Sequence, residues 1–320
     1  MIMKNLYLYT AVALTGFSAM SFANESSRLS GEIIVTTGYM STNSNLSTDG
    51  NARLNDLNSK GSHTDDFIAA PLGSLSYRLD DNNKQRVYLG TSRDDLAVGD
   101  LAFEIGYQHD FANGTQLDVA YLPTVLSGEV WANPYQTGSG RQKTDIEGHA
   151  FRMKLNNINN TGMSLDMAYA SAEVDNEQIA ERALHRDHDT YYIKGSYQSM
   201  LSERSGLVSS VSYTHRDAKG KAETFDQYKT EVTYFTSVDA HKLALTGGYA
   251  HRSYDGTNPI FNKDRSDNRY KLFLAYEYAD FAGWDNWSLV SLAGANFNTS
   301  NIDFYESEEY LMTVGLSYKF

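Results

Sequence analysis

The sequence predicts an all-β fold, a transmembrane antiparallel up-and-down β-barrel of fourteen strands, with twelve as the alternative. Three observations predict it. The closing stretch sets Tyr310, Met312, Val314, Leu316, Tyr318 and Phe320 against Thr313, Gly315, Ser317 and Lys319, a period of two over the length of a membrane-crossing strand. Similar alternating segments recur along the chain, divided by Asn-, Asp- and Gly-rich turns. Beyond the first residues no run approaches the eighteen apolar residues that a spanning helix needs. A mean hydropathy of −0.48 fits this fold, because only alternate residues of each strand would face lipid.

The chain opens on an export signal. Lys4 gives it a positive start, Leu6 to Phe17 an apolar centre, and Ser21-Phe22-Ala23 a small-x-small cleavage site. Residues 1–23 are therefore read as a signal peptide and 24–320 as one barrel domain. With no cysteine there is no disulfide, thiolate metal site or lipid-modified cysteine. An exported chain of this size then needs another source of closure, and a hydrogen-bonded barrel supplies it.

The first strand is predicted over Leu29 to Met40, with Leu29, Ile33, Val35 and Tyr39 on one face. A polar loop to Asp66 leads to Phe67–Leu79, where Pro71 removes a ladder donor and suggests a bulge or a late start. Gln85–Arg93 and Leu101–Phe111 form the next pair; its short connection is what makes twelve strands the alternative. Ala112-Asn113-Gly114 is a hairpin turn, followed by Thr115–Leu122 and a long loop from Pro123 to Glu147. His149–Asn156, Met163–Glu173, Thr190–Met200, Leu207–Arg216, Gln227–Val238, Leu243–Tyr254, Arg269–Tyr278 and Trp287–Phe297 then precede the closing strand.

Aromatic positions test this register. Tyr39, Tyr121, Tyr169, Tyr191, Tyr213, Tyr228, Tyr249, Tyr270 and Tyr310 all fall on the lipid-facing parity at one end of their strands, as an upper girdle requires. Phe111, Trp287, Tyr318 and Phe320 would supply the lower one. The opposite parity collects Arg78, Arg86, Glu104, Asp118, Arg152, Lys154, Asp166, Lys194, Lys229, Glu231, Lys271 and Glu277 as candidate pore-lining residues. Glu32, Asp110, Arg216, Arg252 and Lys319 share that parity. Charges there require water or pairing across a lumen, so the interior is read as polar and slightly basic. The formal charge of −13 then sits mainly in loops, and it argues against a nucleic-acid partner.

The loop Pro123–Glu147 is the candidate for folding inward as a constriction. Trp131 and Tyr135 would stack on sugar rings, and Arg141 and Lys143 would attract anionic groups. The bland reading is an outward surface loop, with Arg152 and Lys154 simply paired to Asp118 and Asp166. The groups His185-Arg186-Asp187-His188-Asp189 and His63-Thr64-Asp65-Asp66 could hold a metal or an acid–base pair, but neither matches a ligand spacing. No G-x-S-x-G, H-E-x-x-H or phosphate-loop motif is present. No metal and no cofactor are expected.

The signal, the strand–turn plan and a last strand ending Tyr318-Lys319-Phe320 resemble Gram-negative outer-membrane β-barrel proteins of the porin-like kind. In general style the chain is similar to uncharacterised proteins of this kind from marine gammaproteobacteria. The resemblance implies an outer-membrane location, with lipid and lipopolysaccharide around the barrel. It also implies recognition of Tyr318 and Phe320 by the barrel-assembly machinery, and passive diffusion of small hydrophilic solutes without catalysis. It leaves monomer and homo-oligomer both open. Two rivals stand beside this reading: an outer-membrane hydrolase using the His185–Asp189 group, and a structural or adhesive barrel with a plugged lumen and partner-binding loops. Strands that begin soon after the cleavage site disfavour an autotransporter, which needs a passenger segment.

Overall fold

A computed structural model describes residues 28–91, 95, 102–123 and 128–320. The export signal lies outside the described residues, as do Arg93 and Leu101 at the ends of two predicted strands. The strands are β1 (Leu29–Thr42), β2 (Thr64–Arg78), β3 (Gln85–Gly90), β4 (Glu104–Asp110) and β5 (Gln116–Pro123). Next come β6 (Gly128–Trp131), β7 (Lys143–Asn156), β8 (Met163–Val174), β9 (His188–Ser202) and β10 (Ser205–Ala218). The chain finishes with β11 (Phe225–Val238), β12 (His241–Asn258), β13 (Lys263–Ala279), β14 (Trp287–Ser300) and β15 (Ser307–Lys319).

Neighbours in sequence pair antiparallel except β5 and β6, β1 pairs with β15, and β5 pairs with β7. The ring therefore closes on fourteen strands. The fifteenth strand, β6, is a short flap laid on residues 143–146 of β7. The predicted loop Pro123–Glu147 thus contains a hairpin, and Lys143 belongs to β7. Several other strands run past their predicted ends, notably β12 to Asn258 and β13 from Lys263. Beyond the girdle both strand faces meet polar surroundings, so the apolar alternation that marks a spanning strand fades while the hydrogen-bonded ladder continues.

Pro71 lies inside β2 without a bulge and pairs with Val35. Its other side costs nothing in ladder bonds, because the β2–β3 pairing covers only residues 74–78 of β2. Above Gly73 this part of the wall is bonded on one side alone among the described residues.

The outward face carries the apolar belt. Tyr228 is 63% exposed and Met312 65%, values suited to lipid contact. In the upper girdle Tyr169 lies beside Tyr191, Tyr213 beside Tyr228 and Tyr249 beside Tyr270, with ring centroids 5.2–5.4 Å apart. Three of these hydroxyls reach carboxylates one step farther from the membrane: Tyr39 to Asp65, Tyr169 to Asp189 and Tyr213 to Asp226, at 2.5, 2.8 and 2.6 Å. An amphipathic ring with its phenol toward water is what a membrane boundary favours. At the other end Phe281, Trp284, Trp287, Tyr318 and Phe320 form a continuous aromatic run. The closed even ring, apolar belt and paired girdles make the chain a barrel of the Gram-negative outer-membrane type.

Candidate functional site: the lumen and the cap above it

The strand register turns Arg86, Glu104, Asp118, Arg152, Lys154, Asp166, Lys194, Lys229, Glu231, Lys271 and Glu277 to the barrel interior, with Arg78 at the lower end of β2. On one wall they form a dense ion network. The guanidinium of Arg152, 7% exposed, donates two bonds to Asp166 at 2.7 and 3.0 Å and one to Glu104 at 2.6 Å. It also donates to Asp95 at 3.1 Å, and Lys154 Nζ lies 3.7 Å from the same carboxylate. The single hydroxyl proton of Tyr88 is shared between Asp118 and Glu104, at 2.7 and 3.0 Å, and Gln108 donates to Asp118 at 2.8 Å. Cross-strand neighbours build this network: Asp118 faces Lys154 across β5–β7, and Asp166 faces Lys194 across β8–β9. Asp95 arrives from outside the wall, so the connection between β3 and β4 places at least that side chain inside the barrel.

The opposite wall is more open in its pairing. Lys229 and Lys271 both approach Glu231, at 2.6 and 3.6 Å. Lower down, Lys319 and Lys242 both approach Glu277, at 2.8 and 3.7 Å. Apolar residues fill part of the interior between them: Ile34, Phe273, Val290 and Leu292 form one buried cluster.

At the end away from the termini, loops cross the mouth. Tyr135, Ile179, Leu184, Ala222, Phe304 and Tyr305 share one hydrophobic core, joined by Leu46, Leu54, Leu57, Ile260 and Phe261. These residues come from six loops spaced around the whole rim, so their contact makes a cap over the lumen. Tyr135 and Tyr305 exchange a hydrogen bond of 2.7 Å, and Asn258 donates to Tyr305 at 2.7 Å. Arg265 pairs with Asp267 at 2.7 Å and lies over the Tyr305 ring, 3.5 Å from its centroid. Beneath Tyr135, loss of hydration raises the Glu223 carboxyl above the usual range, although Arg265, Arg216 and Arg186 pull it the other way.

This cap is where the four constriction candidates lie or end. Trp131 is 1% exposed and its indole donates to the Ser47 carbonyl at 3.0 Å. Arg141 stacks on Trp131, 4.1 Å from the ring centroid, and donates to the carbonyls of Asn45, Pro134 and Asn51. Burial among carbonyls, with no carboxylate beside it, pushes that guanidinium down to about 10. Lys143 lies at the rim, bonded to Glu129 at 2.7 Å. The loop therefore binds its neighbours across the mouth, and Trp131, Tyr135 and Arg141 serve as its fastenings.

Neither His–Asp group gathers into one site, although His63 and Asp65 both reach the Ser41 hydroxyl. His185 contacts the Ile179 carbonyl, His188 the Arg186 carbonyl, Asp187 the Lys219 ammonium and Asp189 the Tyr169 hydroxyl. Asp65 serves Tyr39 and Ser41 on the outer face. Among the described residues no group of three or more His, Asp or Glu is arranged to hold a metal. Residues that sequence reasoning passed over include Asp95, Tyr88, Glu223, Arg265 and Asp267. The partners of Asp95, Tyr88 and Glu223 lie far off in sequence, and Arg265 and Asp267, two residues apart on β13, match no site motif. The lower terminal pair is better marked: Phe320 closes the β1–β15 seam through two backbone bonds to Gly31.

No curated protein is similar in sequence. Solved structures similar in fold include the outer membrane channel DcaP of Acinetobacter baumannii, with 10% identity and a TM-score of 0.49 over 91% of this chain and 96% of that one. Pseudomonas aeruginosa OpdQ gives 10% identity and 0.39 over 91% and 97%. In-vitro folded OmpT, an outer membrane protein of Vibrio cholerae, gives 10% and 0.42 over 92% and 98%. At these values the likeness carries no argument about function. A family model does match, over residues 29–319, and the chain belongs to that family, described as "Protein of unknown function (DUF2860)".

Proposed function

We propose that the barrel is a porin-like channel in the outer membrane, passing small hydrophilic solutes by passive diffusion and without turnover chemistry. The observation that carries this reading is the charged band on the interior, running from Glu104 and Asp118 through Arg152, Asp166 and Lys194 to Lys229, Glu231, Lys271 and Glu277. Burying that many charges is expensive for a barrel that serves only as an anchor, whereas fixed charges around a narrow passage select solutes. Selection would act through lumen width and through these side chains. The surroundings implied are lipid and lipopolysaccharide outside, with assembly guided by the Tyr318–Phe320 end.

The loop cap favours a second reading, a closed barrel that displays its loops to a partner. Single-channel recording of the mature protein in a planar bilayer separates the two. Reproducible open steps, more frequent in Tyr135→Ala, support a channel with the cap as its upper restriction. A folded barrel that stays silent in both forms removes the channel reading.

A further inference from the structure

Positive charge is concentrated on one side of the lumen, in three tiers. In the lowest, Lys242 of β12 and Lys319 of β15 share Glu277. In the middle, Lys229 of β11 and Lys271 of β13 share Glu231. In the highest, Arg252 of β12 stands opposite Asp267 of β13 and donates to Gln227 Oε1 at 2.8 Å and to the Tyr254 hydroxyl at 3.3 Å. Its guanidinium lies 4.0 Å from the Phe225 ring centroid, and that of Arg216 lies 4.9 Å from the same ring. Along β12 the tiers fall at Lys242, Gly248 and Arg252, which the rise of a strand separates by ~20 and ~13 Å.

The ring order gives these tiers their counterpart. β3, β4 and β5 lie halfway round the barrel from β11, β12 and β13. They present Glu104, Asp118 and Arg86, joined by Asp95 and Asp166 against Arg152, Lys154 and Lys194. One wall therefore has an excess of cations, whereas the facing region nearly balances the two signs. Around Glu231 the two ammonium groups outnumber the carboxylate they share, whereas Glu32 of β1, opposite Lys319, adds a second carboxylate to the lowest tier. An anion entering beside the cation-rich wall offsets its surplus charge.

We propose that the solutes of this channel are small anions bearing a carboxylate or phosphate, passed between the three tiers on β11–β13. The inference rests on the channel reading above. Its test is the reversal potential of single channels of the mature protein under a potassium chloride gradient, with acetate or inorganic phosphate then replacing chloride. Chloride is expected to permeate several-fold better than potassium. Current carried by acetate alone assigns carboxylates, by phosphate alone phosphates, and by both the shared anionic class. Arg252→Gln leaves Asp267 its bonds from Arg265 and should move the reversal potential toward zero, while Glu231→Gln should move it away. Open steps that prefer potassium, or an Arg252→Gln channel with unchanged selectivity, overturn this proposal and leave the channel standing. A barrel without steps overturns the channel itself.

Discussion

Phe320 and Gly31 exchange both backbone hydrogen bonds, the Phe320 N–H donating at 3.0 Å and the Gly31 N–H at 2.9 Å. The pair completes the seam between the last and the first strand. A Cβ on Gly31 would stand 2.7 Å from the Phe320 ring and 2.8 Å from the Ser74 carbonyl, so glycine is required by close approach. Gly31→Val should destabilise the closed barrel by roughly 1–3 kcal/mol through overpacking. Its heat-modified migration in detergent gels should shift to lower temperature; an unchanged transition would mean that the seam tolerates the clash.

Arg152 holds three carboxylates away from water. Arg152→Leu should cost about 3–5 kcal/mol, because Asp95, Glu104 and Asp166 would be left close together without their shared cation. Adding Asp166→Leu and Glu104→Gln should recover part of that loss. Denaturant unfolding in detergent measures both, and equal stability of the single and triple variants would contradict the assignment.

The cap should yield before the wall. Tyr135→Phe removes the hydroxyl contact with Tyr305 and should cost ~1 kcal/mol locally. Tyr135→Ala also empties a core site, at roughly 3–5 kcal/mol. Limited proteolysis of the outer loops should accelerate in that order while the barrel's own unfolding temperature stays in place. If loops and barrel fail together, the cap is part of a single cooperative unit.

Glu223 makes cap stability depend on pH. Its carboxyl is raised in the folded cap above its ordinary value of 4.5, so the folded state holds the proton more tightly than the unfolded loop does. The resulting stabilisation is complete below about 4.5 and is lost as pH rises through the raised folded value. Protease protection of the loops should therefore weaken across that window, and Glu223→Gln should flatten the dependence. Asp187 works in the opposite sense. Bonds from Lys219 and from the Val174 N–H lower its carboxyl, so its contribution is present above 3.8 and fades as pH falls through the lowered value.

Much of the wall is legible in the sequence, in both the order and the facing of its strands. Strict alternation in a stretch such as Tyr310–Phe320 fixes which residues meet lipid, since a slip of one residue would turn Tyr318 inward and Lys319 outward. The same parity puts Arg152, Asp166, Lys194 and Glu231 on the inner face. Their partners are less legible. Asp118 meets Lys154 because two strands are adjacent, but Asp95 meets Arg152 from outside any strand of the wall, and no periodicity records that.

By itself, then, the sequence determined the strand plan, the girdles and the inward parity, because the two faces of a membrane strand answer to different solvents at every second residue. Only the tertiary structure decided the rest. It brought six loops into one core around Tyr135 and Tyr305, set Lys229 and Lys271 on the single carboxylate of Glu231, and placed the acids of β4 and β5 across from them. Those relations depend on closing the ring and folding loops over its mouth, where contacts join residues far apart in the chain and local pattern has no means of specifying them.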